Sequence, residues 1–235
     1  MKKGDLKRGQ ILDTAEKLFF ECGYDHTSIQ DILNAMNMSK GGFYHYFDAK
    51  ETVLREICER RWDARFDRLR SELYGTRRGV VDRLNLLLGV ANLFEAEDIP
   101  FAAMMLKLCH RDRDAAIRDL RRRTLVERLT PFVDEVIVEG VKDGSLHNRH
   151  PSGTGLMLTL LACDVNDEAC DILANDLESP DRLIRVLEML DVYRESVEAL
   201  CGAPYGSVTL FDAGRMVTDW QQALEELNRL EEKAL

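Results

Sequence analysis

The stretch Ser39 to Lys50, SKGGFYHYFDAK, gathers the residues of this chain best suited to holding another molecule. Lys40, Tyr44, His45 and Tyr46 bring a cation, two phenols and an imidazole close together. Such groups bond phosphate oxygens and base edges, the noncovalent chemistry of nucleic-acid binding. The competing reading of Tyr44, His45 and Tyr46 is a surface aromatic cluster, or a patch packed against a partner helix. Covalent chemistry is poorly served. The histidines, His26, His45, His110, His147 and His150, form no HExxH or His-x3-His pair. No Ser/His/Asp cluster, glycine-rich phosphate loop or pair of catalytic carboxylates stands out. No catalytic residue and no cofactor is expected, and an all-helical enzyme ranks last among the readings.

Two short helices joined by a tight turn must position these residues. Thr27 can cap the first, with Gln30 completing a capping box. Ile29, Ile32, Leu33 and Met36 then fall on one buried face. Asn37 and Met38 make the turn, and Ser39 is a good N-cap for the second helix. That helix has only Phe43 and Phe47, at i and i+4, to anchor it. Gly41 and Gly42 weaken it by roughly 1 kcal/mol each, yet admit another backbone closely. A short helix with a small apolar anchor and a cationic, aromatic outer face suits a DNA major groove. A preceding helix, about Leu6 to Cys22, buries Ile11, Ala15, Leu18 and Cys22, with Leu12 and Phe19 beside them, and ends at Gly23. Lys2, Lys3, Lys7 and Arg8 lead into it as a basic arm or a solvated terminus. Asp48, with Glu51, can cap a long helix to about Tyr74 that buries Leu54, Cys58, Trp62, Phe66, Leu69 and Leu73. Lys50 lies in its first turn, where the dipole disfavours a cation; a DNA phosphate is the natural counter-charge.

From about Lys7 to Leu54 the sequence resembles the DNA-binding domain of the TetR family of bacterial transcriptional regulators. The resemblance rests on Ile11, Ala15, Leu18, Phe19, Gly23, Thr27 and Ile32, and above all on SKGGFYHYFDAKETVL, Ser39 to Leu54. It covers about a fifth of the chain. It implies that Lys40, Tyr44 and His45 face the groove or its rim. Thr27, Ser28, Tyr46 and Lys50 would bond phosphates, Ser39 would start the recognition helix at the interface, and Gly41 and Gly42 would permit close approach. With glycine at both 41 and 42, direct readout is expected to be thin and DNA shape to contribute more.

Charge confines that contact to one end. The 235 residues carry a net charge of −10, but residues 1–50 hold seven basic and seven acidic side chains, whereas the other 185 hold 25 against 35. An acidic body repels DNA and disfavours loose binding. Residues 1–50 are therefore expected to form the DNA-binding domain and 51–235 a helical regulatory domain, in an all-α chain. Cys22, Cys58, Cys109, Cys163, Cys170 and Cys201 show no CxxC spacing and read as reduced core cysteines. The longest apolar stretch, around Leu86 to Val90, is far short of the ~20 residues a membrane span needs. A soluble, cytoplasmic protein with no membrane contact is expected.

Body helices are expected at about 79–96, 99–112, 113–143 with a possible break near Thr130-Pro131, 152–177, 180–200 and 212–230. Trp62, Phe66, Phe94, Phe101, Met104, Met105 and Leu108 are either plain core or the soft lining of an apolar cavity near 62–66, 101–109 and 125–137. The resemblance implies a small apolar or amphipathic effector among these middle helices. Arg118, Arg121, Arg122 and Arg123 read as a solvated face paired with Asp112, Asp114 and Asp119. Asp164, Glu168 and Asp171, in the segment from Cys163 to Asp171, share a face that could hold a metal; a polar or inter-subunit face is the preferred reading, and no metal is assigned. The helix at 180–200 is apolar around more than one stripe, so Leu183, Leu187 and Leu190 are expected in a two-fold dimer interface with the helix at 152–177. The alternative is that the last helix, with Trp220 and Leu224, covers that face. The functional expectation is a ligand-responsive repressor binding a palindromic operator as a homodimer. The alternative is a DNA-binding regulator with no small-molecule ligand, controlled by a protein partner or by abundance.

Overall fold

A computed structural model describes residues 3–75, 78–89, 99–111, 114–175, 179, 181–210 and 212–232. Its regular elements are all helices: α1 Lys3–Cys22, α2 Ile29–Ala35, α3 Lys40–Tyr44, α4 Lys50–Gly75, α5 Val80–Gly89, α6 Ile99–Leu106, α7 Ala115–Asp143, α8 Pro151–Asn175, α9 Arg182–Cys201 and α10 Ala213–Glu232. A wider, π-type turn, Lys107–Arg111, continues α6. The expected all-α class and N-terminal helix-turn-helix are present.

α1 buries Ile11, Leu12, Ala15 and Phe19, while Leu18 is half-buried and Cys22 exposed. The stripe is therefore shifted by one residue from the expected one. Gly23, at φ +89°, ends the helix in the left-handed region, where a side chain would be strained. Every residue expected on the inner stripe of α4, from Leu54 to Leu73, is buried. That face packs on α1, α5 and α7, so one helix serves the cores at both ends of the molecule.

α7 starts at Asp114, whose carboxylate accepts from the amides of Ala116 (3.0 Å) and Ile117 (3.1 Å). It runs unbroken through Pro131, without the break allowed for near Thr130-Pro131. Proline in a helix interior costs about 3 kcal/mol. Leu125, Leu129, Val133, Val136 and Ile137, all buried on either side of it, supply more than that on burial, at about 1.5–3 kcal/mol each. α8 packs along α7 more extensively than any other pair of helices. Gly155 makes the close approach possible: a Cβ there would lie 2.5 Å from Asp134, whose carboxylate accepts the Gly155 amide at 2.8 Å.

The same pairing corrects the reading of the basic and acidic clusters. Arg118, Arg121 and Arg122 of α7 meet Asp171, Asp167 and Asp164 of α8 in an antiparallel ladder. Asp114 is instead a helix cap, Asp112 lies outside the described residues, and only Arg123 stays local, donating to the Asp119 carbonyl at 3.4 Å. Arg121 is fully buried. So is His110, on the turn after α6; its Nδ1 lies 2.8 Å from Asp171 and its Nε2 3.9 Å from Asp167. The acidic face thus has arginines and an imidazole as partners. At the other end of the turn, Lys107 pairs with Asp25 in the α1–α2 connection.

This ladder predicts a pH dependence. Burial lowers the His110 pKa below its ordinary 6.5, helped by Arg121 and opposed by Asp171 and Asp167; Arg118 is the remaining charge beside Asp171. The folded state therefore holds the ring neutral more firmly than the unfolded chain does. Its contribution is intact above pH 6.5 and is lost as pH falls through the lowered value. The urea midpoint is expected to drop between pH 7.5 and 5.5, and His110→Gln to flatten that drop. Equal losses in parent and variant would refute this origin.

Candidate nucleic-acid interface

The first helix of the pair is capped one residue later than expected. Ser28, not Thr27, is the N-cap of α2: its hydroxyl accepts from the Asp31 amide at 3.2 Å, and the Asp31 carboxylate accepts from the Ser28 amide at 2.8 Å. The Ser28 hydroxyl also donates to that carboxylate at 2.6 Å, and this bond first, then the one from the Ser28 amide, holds the Asp31 carboxyl below its usual range. Gln30 instead donates to Asn34 at 2.9 Å. Thr27 is buried, and its hydroxyl faces the Gly23 carbonyl at 2.8 Å and the Leu18 carbonyl at 3.3 Å. A hydroxyl facing inward does not reach a phosphate, which corrects that expectation for its side chain.

Ile32 and Leu33 are buried, with Ile29 and Met36 packed half-buried beside them. Asn37 makes the turn in the left-handed region at φ +48°, and the Met38 amide reaches back to the Leu33 carbonyl at 2.9 Å. Ser39 caps α3 as expected, accepting from the Gly42 amide at 3.2 Å. Phe43 and Phe47 are buried with ring centres 5.9 Å apart. Ser28, Ser39, Lys40, Gly41, Tyr44 and His45 are all exposed, Tyr44 by 54%. The two glycines differ. A Cβ at Gly41 meets nothing within 4 Å, whereas one at Gly42 would press on Met38 and Ser39 at 3.2–3.3 Å. Packing within the chain asks for a small residue only at 42.

Tyr46 is half-buried, its ring edge-on to His45 at 4.9 Å. Its carbonyl accepts from Arg8 Nη1 at 2.8 Å. Arg8 also donates from Nε to Glu56 at 2.8 Å and sets its guanidinium 4.4 Å from the Phe47 ring. It is not part of a loose basic arm but a clamp joining α1, the end of α3 and α4. Nothing in the local pattern pairs Arg8 with a glutamate 48 positions on, so sequence reading missed it. Lys50 is likewise engaged. Its ammonium donates to the Tyr24 carbonyl at 2.8 Å and sits 4.1 Å from the Tyr24 ring centre. That contact accounts for a cation in the first turn of α4 without a phosphate. Burial lowers its pKa, against the pull of Asp25 and Glu51. Asp48 accepts from the Thr52 hydroxyl rather than pairing with Glu51.

The described residues expected to line an effector site lie inside the core. Trp62, Phe66, Phe101, Met104, Met105 and Leu108 are buried in the core, with Trp62 and Phe101 edge to face at 6.5 Å; Phe94 lies outside the described residues. An apolar cavity occurs elsewhere, between α5, α8, α9 and α10. The residues expected at a dimer interface differ in burial. Val186, Leu190, Tyr193 and Val197 turn inward, so Leu190 belongs to the chain's own core and Leu183 and Leu187 are half-buried. The large apolar residues that stay exposed on these two helices are Leu156 and Met157 of α8 and Ile184, Val192 and Leu200 of α9. α10 packs chiefly on α6 and leaves these residues uncovered.

Residues 11–57 match the family model described as bacterial regulatory proteins, tetR family. The chain is 31% identical over 146 residues to the HTH-type transcriptional repressor KstR2 of Rhodococcus jostii, covering 60% of this chain and 69% of the relative. It is 29% identical over 103 residues to the HTH-type transcriptional repressor ComR of Escherichia coli, covering 43% of this chain and 49% of that one. Among solved structures, a TetR-family regulator from Pectobacterium atrosepticum superposes with TM-score 0.58 at 19% identity, over 87% of this chain and all of that one. A putative regulator from Saccharomonospora viridis in complex with choline gives 0.56 at 21% identity, over 83% and 96%. FadR of Bacillus subtilis in complex with stearoyl-CoA gives 0.55 at 18%, over 79% and 96%.

The inward hydroxyl of Thr27 generates a prediction. Thr27→Val keeps the shape but deletes a buried hydrogen bond, a loss of about 1–3 kcal/mol in stability. The salt dependence of DNA binding by the folded variant is expected to match the parent. A salt slope reduced by about one unit would instead give Thr27 a phosphate contact.

Proposed function

Because the chain belongs to the TetR family of bacterial regulatory proteins, a family of transcriptional regulators, we propose that it is a ligand-responsive repressor binding a palindromic operator as a homodimer in the cytoplasm. One observation carries the DNA half. α3 buries only Phe43 and leaves Lys40, Tyr44 and His45 exposed, on a helix capped at Ser39 and seated by Phe47. Lys40, Tyr44 and His45 read the groove, Gly41 admits the backbone closely, and Ser28 and Ser39 lie at helix starts, where amides favour phosphates. Residues 1–50 form the DNA-binding unit and 51–235 the regulatory unit, with α4 packed on both. The acidic body keeps contact with DNA at the neutral end.

The exposed apolar residues of α8 and α9 support the dimer. Leu156, Met157, Ile184, Val192 and Leu200, with Leu183 and Leu187 at their margin, would be buried when two copies pair these helices as a four-helix interface. Two recognition helices about 34–36 Å apart then enter successive major grooves. Choline and stearoyl-CoA in two structural neighbours support a small effector. The second reading, a regulator without a small-molecule ligand, draws on the burial of Trp62, Phe66, Phe101 and Met104 in the core.

The test uses duplexes selected from the DNA flanking the gene. Lys40→Ala and Tyr44→Ala are each expected to weaken the selected complex by about 1–3 kcal/mol; parent-like binding by both would remove α3 from the interface. Ile184→Glu with Val192→Glu is expected to sediment as a folded monomer with weakened operator binding, because neither site belongs to the subunit's own core. A parent protein that sediments as a monomer at micromolar concentration would refute the dimer.

A further inference from the structure

We infer that the cavity between α5, α8, α9 and α10 is the effector site, and that it takes an uncharged, mainly apolar small molecule presenting a carbonyl oxygen. The regulatory half of this inference rests on the ligand-responsive reading above; the site itself does not.

The wall chemistry selects the ligand. Leu88, Ala162, Leu190, Met216 and Trp220 are among the lining residues, and none of the described lining residues is charged. An ionised ligand entering there would lose its hydration with no counter-charge, a cost of several kcal/mol. Two hydrogen-bonding groups stand on the wall. The Asn166 amide oxygen accepts from Arg121 Nη1 at 3.4 Å and from Cys170 Sγ at 3.7 Å, which leaves its NH2 as the group to donate. The buried Tyr193 hydroxyl has no partner among the described residues. Both can donate, and a carbonyl oxygen has two lone pairs to accept. The free volume is about 40 Å³, more than the roughly 10–15 Å³ a water needs and less than the ~150 Å³ that holds benzene. Any larger occupant must widen the cavity, so it favours a state with α9 and α10 displaced. That differential affinity is what a ligand needs in order to shift an equilibrium.

The walls are tied to the DNA-binding unit by two routes. α10, which lines the cavity through Met216 and Trp220, carries Arg229, whose Nη2 donates to the Phe20 carbonyl of α1 at 3.1 Å. α8, through Asn166, contacts the buried Arg121, which pairs with Asp167 beside His110. The turn holding His110 ends at Lys107, paired with Asp25 between α1 and α2. Moving either wall therefore strains a contact to the helices that carry α3.

The probes are xenon, 2-butanone and, as the charged counterpart, propionate, added to the full-length protein and followed by the two tryptophan indole NMR signals. Xenon and 2-butanone are expected to shift Trp220 and leave Trp62 in place, with propionate inert. Filling the cavity by Val165→Phe, from a half-buried position, should abolish both shifts; Ala169→Val is the second variant should the first melt early. Movement of Trp62 alone, no response to either neutral probe, or shifts that persist in both folded filled variants would each overturn the site. Selected DNA distinguishes the two halves. With 2-butanone saturating, the complex is expected to weaken about fivefold or more. Trp220 shifts with unchanged DNA affinity would support the site and count against ligand response. Release of DNA that persists equally in both filled variants would uphold ligand response and overturn the site.

Discussion

The burial of one face of α4 is the constraint on which the rest of this molecule depends. From Val53 to Leu73 the helix offers a continuous apolar stripe that no single neighbour covers. It packs with α1, α5 and α7. Leaving half of that stripe wet would cost about 1.5–3 kcal/mol per large side chain. The N-terminal helices and the body are therefore held to the same rod.

Around that rod, the charged residues are spent largely on internal geometry. Arg60 joins Asp13 and Glu16 of α1 to α4, Arg61 reaches the same Glu16, and Arg8 ties α3 to Glu56. Arg118, Arg121 and Arg122 of α7 are taken up by the aspartates of α8, and Arg128 by Asp63 of α4. Burial of Arg121 and His110 within that ladder has a consequence for specificity. A buried ion pair adds little net stability, yet breaking it is strongly destabilising, so the α7–α8 register is held against sliding. α3 has the opposite character: it is short, lightly anchored by Phe43 and largely exposed.

Much of this was legible in the sequence because it depends on neighbours along the chain. The capped turn Asn37–Ser39, the anchor of Phe43 and Phe47, the stop at Gly23 and the inner stripe of α4 follow from helical spacing and cap chemistry, which act over three or four residues. The one-residue error at Thr27 is instructive. Threonine and serine are both good caps, and only the return of α2 against α1 decides that Thr27 points inward to Gly23 and Leu18 while Ser28 caps. Local rules nominate both residues and cannot choose between them.

The sequence by itself thus determined the helical class, the helix-turn-helix and the residues exposed on α3, since hydrophobic period and caps are local. Only the tertiary structure decided who meets whom. It gave Arg118, Arg121 and Arg122 to α8, made Arg8 a clamp, bonded Lys50 to the Tyr24 carbonyl, set Trp62 against Phe101, and opened a cavity lined by Asn166 and Tyr193. Each of these joins residues dozens of positions apart. Their pairing is set by how whole helices pack, and helix packing depends on the summed shape of many side chains, which no short-range pattern encodes.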